Sequence, residues 1–176
     1  MSKVITGRMT HRHEGELVVF HIGMQINRWW RPDLWLPTFF AMPPMLRELS
    51  TDPDSGMLGY ELLFGSGGPY VVQYWSSVDK LYAYASSPSQ EHRPAWTRFN
   101  KMARKAPGAV GIWHETFLVD RAESVYVSTK SMGLPKATEM VEVGKRQDRA
   151  QARFAEGRTV AGQAQSPEIL SEARLP

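Results

Sequence analysis

The clearest pattern in the chain runs from Leu17 to Asn27, where Phe20, Ile22, Met24 and Ile26 alternate with His21, Gly23, Gln25 and Asn27. A period of two is what a β-strand shows when one face is apolar and the other mixed. From Leu36 to Leu49 the spacing changes, and Phe39, Phe40, Met42, Met45, Leu46 and Leu49 form a helical stripe. Pro43 and Pro44 remove two amide donors from that stripe, which predicts a kink or two short helices. Asp52 to Gly56 reads as a turn. Met57 to Phe64 and Val71 to Trp75 then read as strands joined in a hairpin by the glycine-rich turn before Pro69.

After Trp75, Ser77 precedes Leu81, Tyr82, Tyr84 and Ala85 at mixed spacings of three and four, the signature of a serine-capped helix. A second cap at Ser87 is expected to open another helix from Pro88 toward Arg104, with His92, Trp96 and Phe99 on one face. Ala109 to Val119 is strand-like throughout and carries His114, and Ser124 to Val127 offers one more short strand. Residues 1–16 show no apolar period and read as a flexible lead-in. Residues 129–176 hold few large apolar side chains and read as a poorly ordered C-terminal extension. That leaves 17–128 as the folded domain. Its order of strand, helix, strand, strand, helix, strand predicts an α+β fold, a ferredoxin-like split β-α-β with an antiparallel sheet and both helices on one face. A second copy would cover the other face, giving a dimeric α/β barrel with a pocket inside it.

Composition narrows the chemistry. With no cysteine, thiolate catalysis, Fe–S clusters and Cys-ligated zinc are excluded. The apolar runs are too short to span a bilayer and no signal-peptide core is evident, so a cytoplasmic protein is expected. The formal charge of +3 is modest and mixed with acidic residues, so nucleic acid is not expected as a partner, and the lack of a spanning run leaves no membrane partner expected either. Trp29, Trp30 and Trp35 crowd one short connection and are expected to be covered, by the core or a partner subunit in preference to a ligand. No Ser-His-Asp motif, phosphate loop or carboxylate pair is present, and Gly65 to Gly68 lies between strands, so hydrolase and kinase readings fail.

A linked set of short motifs carries a resemblance. Phe20-His21-Ile22-Gly23-Met24 with Asn27-Arg28-Trp29-Trp30, Ala41-Met42-Pro43, Val71-Val72-Gln73-Tyr74-Trp75, His92-Arg93-Pro94-Ala95-Trp96, and Gly111-Ile112-Trp113-His114-Glu115-Thr116 together resemble an uncharacterised bacterial and fungal "monooxygenase family" of the dimeric α/β barrel superfamily. The superfamily includes antibiotic-biosynthesis-type monooxygenases, some of them cofactor-free, together with haem-degrading enzymes and haem-dependent aldoxime dehydratases. The resemblance implies a homodimer and a buried pocket for a small apolar organic substrate. It also implies that haem b is a candidate cofactor, with His92 as iron ligand and Trp96 and Phe99 as the apolar wall.

The residues themselves leave roles open. His92 is either a pocket group or a surface histidine beside Glu91 and Arg93. His114 is either a satisfied core imidazole or, if it faces the interior with Ile112 and Thr116, an acid, base or hydrogen-bond donor grouped with His21 and Gln73. A monooxygenase-like oxidoreductase is therefore expected. The alternatives are an aldoxime dehydratase-like lyase and a non-catalytic dimer that binds haem or another small molecule.

Overall fold

The computed structural model describes residues 3–88 and 90–157. Within them the chain forms β1 (Ile5–Arg12), β2 (Val18–Ile26), α1 (Pro32–Phe39), α2 (Met42–Thr51), β3 (Met57–Gly65) and β4 (Gly68–Trp75). It continues through α3 (Val78–Ser86), α4 (His92–Lys105), β5 (Val110–Leu118), β6 (Tyr126–Thr129), α5 (Gly133–Ala137), β7 (Glu139–Glu142) and α6 (Ala150–Glu156).

The main sheet has four strands in the order β3-β4-β2-β5, all antiparallel. This is the ferredoxin-like split β-α-β arrangement, in which β2 and β4 are central and the hairpin partner β3 and the last strand β5 are edges. Its register decides which side chains share a face. Phe20 stands opposite Gln73 and Thr116, and Ile22 opposite Val71 and His114. His21 stands opposite Val72 and Glu115. Successive strand residues point to opposite faces, so Phe20, Ile22, Met24, Gln73 and His114 face the helices while His21, Gln25 and Glu115 face away.

Helices α1 to α4 cover the first of these faces through two buried clusters. Val18, Leu49, Trp75, Leu81 and Tyr84 form one, with Trp75 and Val18 fully excluded from solvent. Met24, Ile26 and Val110 form the other, packed against Trp35, Phe39, Phe99 and Met102. The proline break falls as the sequence predicts. The helical stripe divides at Phe40 and Ala41, and α2 begins with Pro43 in its first turn, where the missing N–H has no intrahelical partner to lose. Ser77 caps α3, its side chain accepting from the Lys80 N–H at 3.1 Å. The second cap differs. α4 starts at His92 rather than Pro88, behind Glu91 and with no side-chain cap.

Two segments depart further from expectation. The lead-in contains β1, which is the middle strand of a second, three-stranded sheet ordered β6-β1-β7. The extension supplies β7, α5 and α6, and residues 158–176 lie outside the described residues. Polar contacts hold this sheet, which is why no apolar period announces it. The Thr10 hydroxyl donates to the Ser124 carbonyl at 2.8 Å, and His11 Nδ1 meets Ser124 Oγ at 2.8 Å. Arg153, only 7% exposed, pairs with Glu123 and donates to the carbonyls of Gln147 and Asp148. Helix α5 joins the sheets by lying on β3. There the Gly133 N–H donates to Glu61 at 2.9 Å, and Gly59 leaves the space that Ala137 fills, since a Cβ at 59 would stand 3.0 Å from Ala137 Cβ.

Candidate functional site

A cavity of about 470 Å³ lies between the sheet and the helices. Its sheet wall includes Phe20, Ile22, Met24, Ile112, His114 and Thr116, and its helical wall includes Phe39, Met42, Met45, His92, Trp96 and Phe99. The lining is mostly apolar, which is the usual character of a site for a small organic ligand. The expected pocket inside a barrel, between two packed sheets, would need a second copy of the chain, and this cavity is a separate space. The chamber belongs to one chain and lies on the helix side, because that is the face to which the apolar alternation of β2 points.

Of the predicted site residues, this chamber gathers His92, His114, Trp96 and Phe99. Trp96 and Phe99 stack with ring centroids 5.5 Å apart, and His114 lies 5.7 Å from the Phe20 ring. His21 and Gln73 are not in the lining. His21 is one residue out of phase, on the far face of the sheet, where its Nδ1 is 3.8 Å from Glu115 and its ring is edge-on to Phe117. Gln73 faces the helices but is 5% exposed, and its Oε1 accepts from the Trp75 indole N–H at 3.0 Å. Its carboxamide satisfies a buried donor in the core. The grouping of His114 with His21 and Gln73 thus gives way to a lining that holds His114 on its sheet wall and His92 on its helical wall.

His92 stands at the first position of α4, and its placement involves residues far apart in sequence. Glu48 on α2 accepts from the Tyr84 hydroxyl and from the Glu91 N–H, both at 3.1 Å. The Tyr84 ring in turn lies 6.3 Å from the imidazole. Burial lowers the His92 pKa from its ordinary value, with the Arg93 charge acting in the same sense and the Ala85 backbone opposing. Its Nδ1 is buried and makes no well-formed hydrogen bond among the described residues, although the Ala85 backbone lies close enough to the ring to favour its protonated form. Burial and the hydrogen bond to Glu48 push the Tyr84 hydroxyl well up, so it stays a donor. Sequence reasoning had no signal for Glu48 or Tyr84, because a carboxylate that bridges three helices leaves no spacing to read. Arg98, Tyr82 and Asp33 are further lining residues it did not single out. Asp33 is engaged by Arg31 through two bonds of 2.8 and 2.7 Å, which holds its carboxyl below the usual range.

The fit to haem is poor. Among the lining residues Arg98 is the sole arginine or lysine, while haem b carries two propionates. These residues do not make a seat for the group.

The Monooxygenase af470-like family matches this sequence over residues 17–134, from the start of β2 into α5. The chain belongs to the Monooxygenase af470-like family. Monooxygenase af470 of Aspergillus fumigatus is 28% identical over 179 residues, covering 84% of this chain and 59% of that protein. The af470-like chain thus spans about three fifths of the length of that relative. Among solved structures, SnoaB of Streptomyces nogalater, described as a cofactor-independent oxygenase, is 15% identical over 61% of this chain and 97% of that one, with a TM-score of 0.41. A dimeric ferredoxin-like protein from Thermobifida fusca is 19% identical over 60% of this chain and 92% of that one, with a TM-score of 0.40. The family match spans the whole cavity lining, and it leaves β1, β7 and α6 outside.

Proposed function

We propose that this af470-like chain is a monooxygenase-type oxidoreductase that holds a small, apolar, electron-rich aromatic molecule in the helix-side cavity and oxygenates it with O₂. The observation that carries the reading is the apolar chamber with the His92 imidazole in its wall. His92 is kept deprotonated by burial, so at neutral pH it is ready to accept a proton rather than to give one.

The chemistry balances without a further reductant. His92 takes a proton from an activated C–H of the substrate, and the resulting carbanion, delocalised into the ring system, passes one electron to O₂. Recombination of the radical pair and protonation give a hydroperoxide on that carbon. Loss of water then leaves a carbonyl, so a CH₂ and O₂ become C=O and H₂O. His114 lines the sheet wall near Thr116, exposed at its side of the cavity, and would supply a hydrogen bond to oxygen as charge develops there. Trp96, Phe99, Met102 and Ile112 would keep water out and hold the ring system. The lyase alternative needs haem and is not supported by the residues at hand.

A second copy would cover the sheet face turned away from the helices, where Trp113 and Phe117 are 37% and 48% exposed. The cavity does not depend on it.

Oxygen-electrode and absorbance assays with anthrone test the proposal. The expected result is O₂ uptake equal to anthrone consumed, with His92→Ala lowering kcat/KM by roughly a hundredfold or more, the usual loss for a general base. Equal rates for the two proteins would overturn the role of His92. Tight binding of anthrone and of hydroxylated naphthols with no O₂ uptake would leave a binding protein.

A further inference from the structure

Helix α4 has two different faces. At 100° per residue, His92, Ala95, Phe99 and Met102 fall together, and all of them line the cavity. Arg93, Lys101, Arg104 and Lys105 fall on the other side, and all are exposed. No acidic residue occurs between His92 and Lys105. The residues just after the helix are fixed to the loop that follows β2. Asn27 Nδ2 donates to the Gly108 carbonyl at 3.0 Å, and Arg28 reaches the Pro107 carbonyl at 3.4 Å. That contact brings Trp29 and Trp30 to the C-terminal end of the cationic face.

The expectation that these tryptophans are covered holds for Trp35, which packs on the Met24 cluster and donates its indole N–H to the Trp29 carbonyl. The other two are not covered by their own chain. Trp29 is 56% exposed and Trp30 74%. Trp96, on the rim of the same helix, is 46% exposed, and Tyr82 beside the cavity is 58% exposed. Among the described residues, Arg28, Arg93, Lys101, Arg104 and Lys105 form no ion pair. A face of unpaired cations edged by exposed indoles is therefore present on a chain whose overall charge is only +3.

We propose that this face, the outer side of α4 with the Arg28–Trp30 loop, docks on the surface of an anionic phospholipid membrane. Charge complementarity chooses the occupant. Lysine and arginine at the headgroup level are attracted to anionic lipid, and tryptophan partitions to the same depth, with its ring among the upper acyl chains and its N–H toward water. A nucleic acid would use the same cations but has no use for an apolar chamber whose exposed rim residues, Trp96 and Tyr82, adjoin the face. The lack of a spanning segment, on which the expectation of no membrane partner rested, does not bear on a peripheral contact. Docking here would place the cavity next to apolar compounds dissolved in the bilayer. That consequence rests on the proposed function, whereas the docking does not.

Co-sedimentation of the full chain with vesicles tests it. The probes are phosphatidylcholine vesicles with and without about 30% phosphatidylserine, at low and high salt, with single-stranded DNA as a polyanion control. The proposal expects binding to the phosphatidylserine vesicles only, weakened by salt. Replacing Arg28, Arg104 and Lys105 together by Gln should weaken it about a hundredfold, at about fivefold per cation near the surface. Trp29→Ser with Trp30→Ser should abolish it while leaving anthrone turnover in detergent-free buffer unchanged. Circular dichroism and a thermal melt confirm that these exposed substitutions leave the fold intact. The proposal is overturned by absence of binding, by equal binding with and without phosphatidylserine, or by binding to DNA but not to vesicles. It is equally overturned if the tryptophan pair, when replaced, changes only the sedimentation mass of the protein, since a second copy would then own the face.

Discussion

Gln73 is the residue where a catalytic reading of the sequence and the structural reading diverge most sharply, and a double-mutant cycle with Trp75 separates them. The two side chains share one hydrogen bond of 3.0 Å in a region where Trp75 is 0% and Gln73 5% exposed. Gln73→Leu leaves the indole N–H buried without an acceptor, which costs about 1–3 kcal/mol. Trp75→Phe strands the carboxamide oxygen instead and also opens space among Val18, Leu49, Leu81 and Tyr84, adding about 1–2 kcal/mol for lost packing. The double variant has neither polar atom and so avoids both stranding penalties. It should be less destabilised than the sum of the singles by about 2–3 kcal/mol. Urea unfolding, read as a change in midpoint at constant slope, measures each corner of the cycle. Additivity within about 0.5 kcal/mol would refute the claim that this bond is the function of Gln73. Turnover gives an independent check. Gln73→Leu should retain activity where folded, whereas a loss of roughly a hundredfold at unchanged stability is the mark of a lost acid–base group.

Other expectations follow from the same geometry. His92 and His11 are both held below 6.5 by burial, so below that pH the unfolded chain binds protons that the folded chain does not. Stability is therefore complete above about pH 6.5 and declines as the pH falls toward the lowered folded values, and His92→Gln should flatten that decline in a series of urea midpoints. Ser77→Ala removes the cap on α3 and should lower the urea midpoint by the equivalent of about 1 kcal/mol. Arg153→Met leaves Glu123 without its partner, with a cost at or below the roughly 3–5 kcal/mol of a fully buried pair because a quarter of the Glu123 side chain is wet. Limited proteolysis should then cut residues 139–157 before the main sheet. Phe117→Lys, on the uncovered sheet face, should leave the fold and the cavity intact and turn a dimer into a monomer in sedimentation velocity. A wild-type protein that already sediments as a monomer would refute that assembly.

The main sheet was legible because its strands carry their own signal. The alternation of Phe20, Ile22, Met24 and Ile26 fixes which face is apolar, and the glycine turn before Pro69 fixes the hairpin. The same alternation held the information that His21 faces away from Phe20. One residue of offset in a strand exchanges the faces, so His21 and Gln73 lie on opposite sides of the sheet. His92, Trp96 and Phe99 were found by helical spacing, and that local regularity survives the shift of the helix start from Pro88 to His92. Glu48 and Tyr84 could not be found this way. Their meeting at the start of α4 depends on how α2, α3 and α4 pack, which no local pattern encodes. The second sheet was missed because β1 is built from Ile5, Thr10, His11 and similar residues, whose burial is made possible by Ser124, Glu123 and Arg153 more than a hundred positions away.

The central claim is that the substrate chamber lies between the helices and the sheet of a single chain. Methionines mark its walls, since Met24, Met42, Met45 and Met102 line it while Met9, Met57, Met132 and Met140 do not. Methyl-labelled methionine NMR during titration with an aromatic ligand such as 2-naphthol reads them separately. The first set should shift with a common saturation curve and the second should stay in place. A ligand that binds, as shown by its own fluorescence, while those four methyl signals remain fixed would contradict the account.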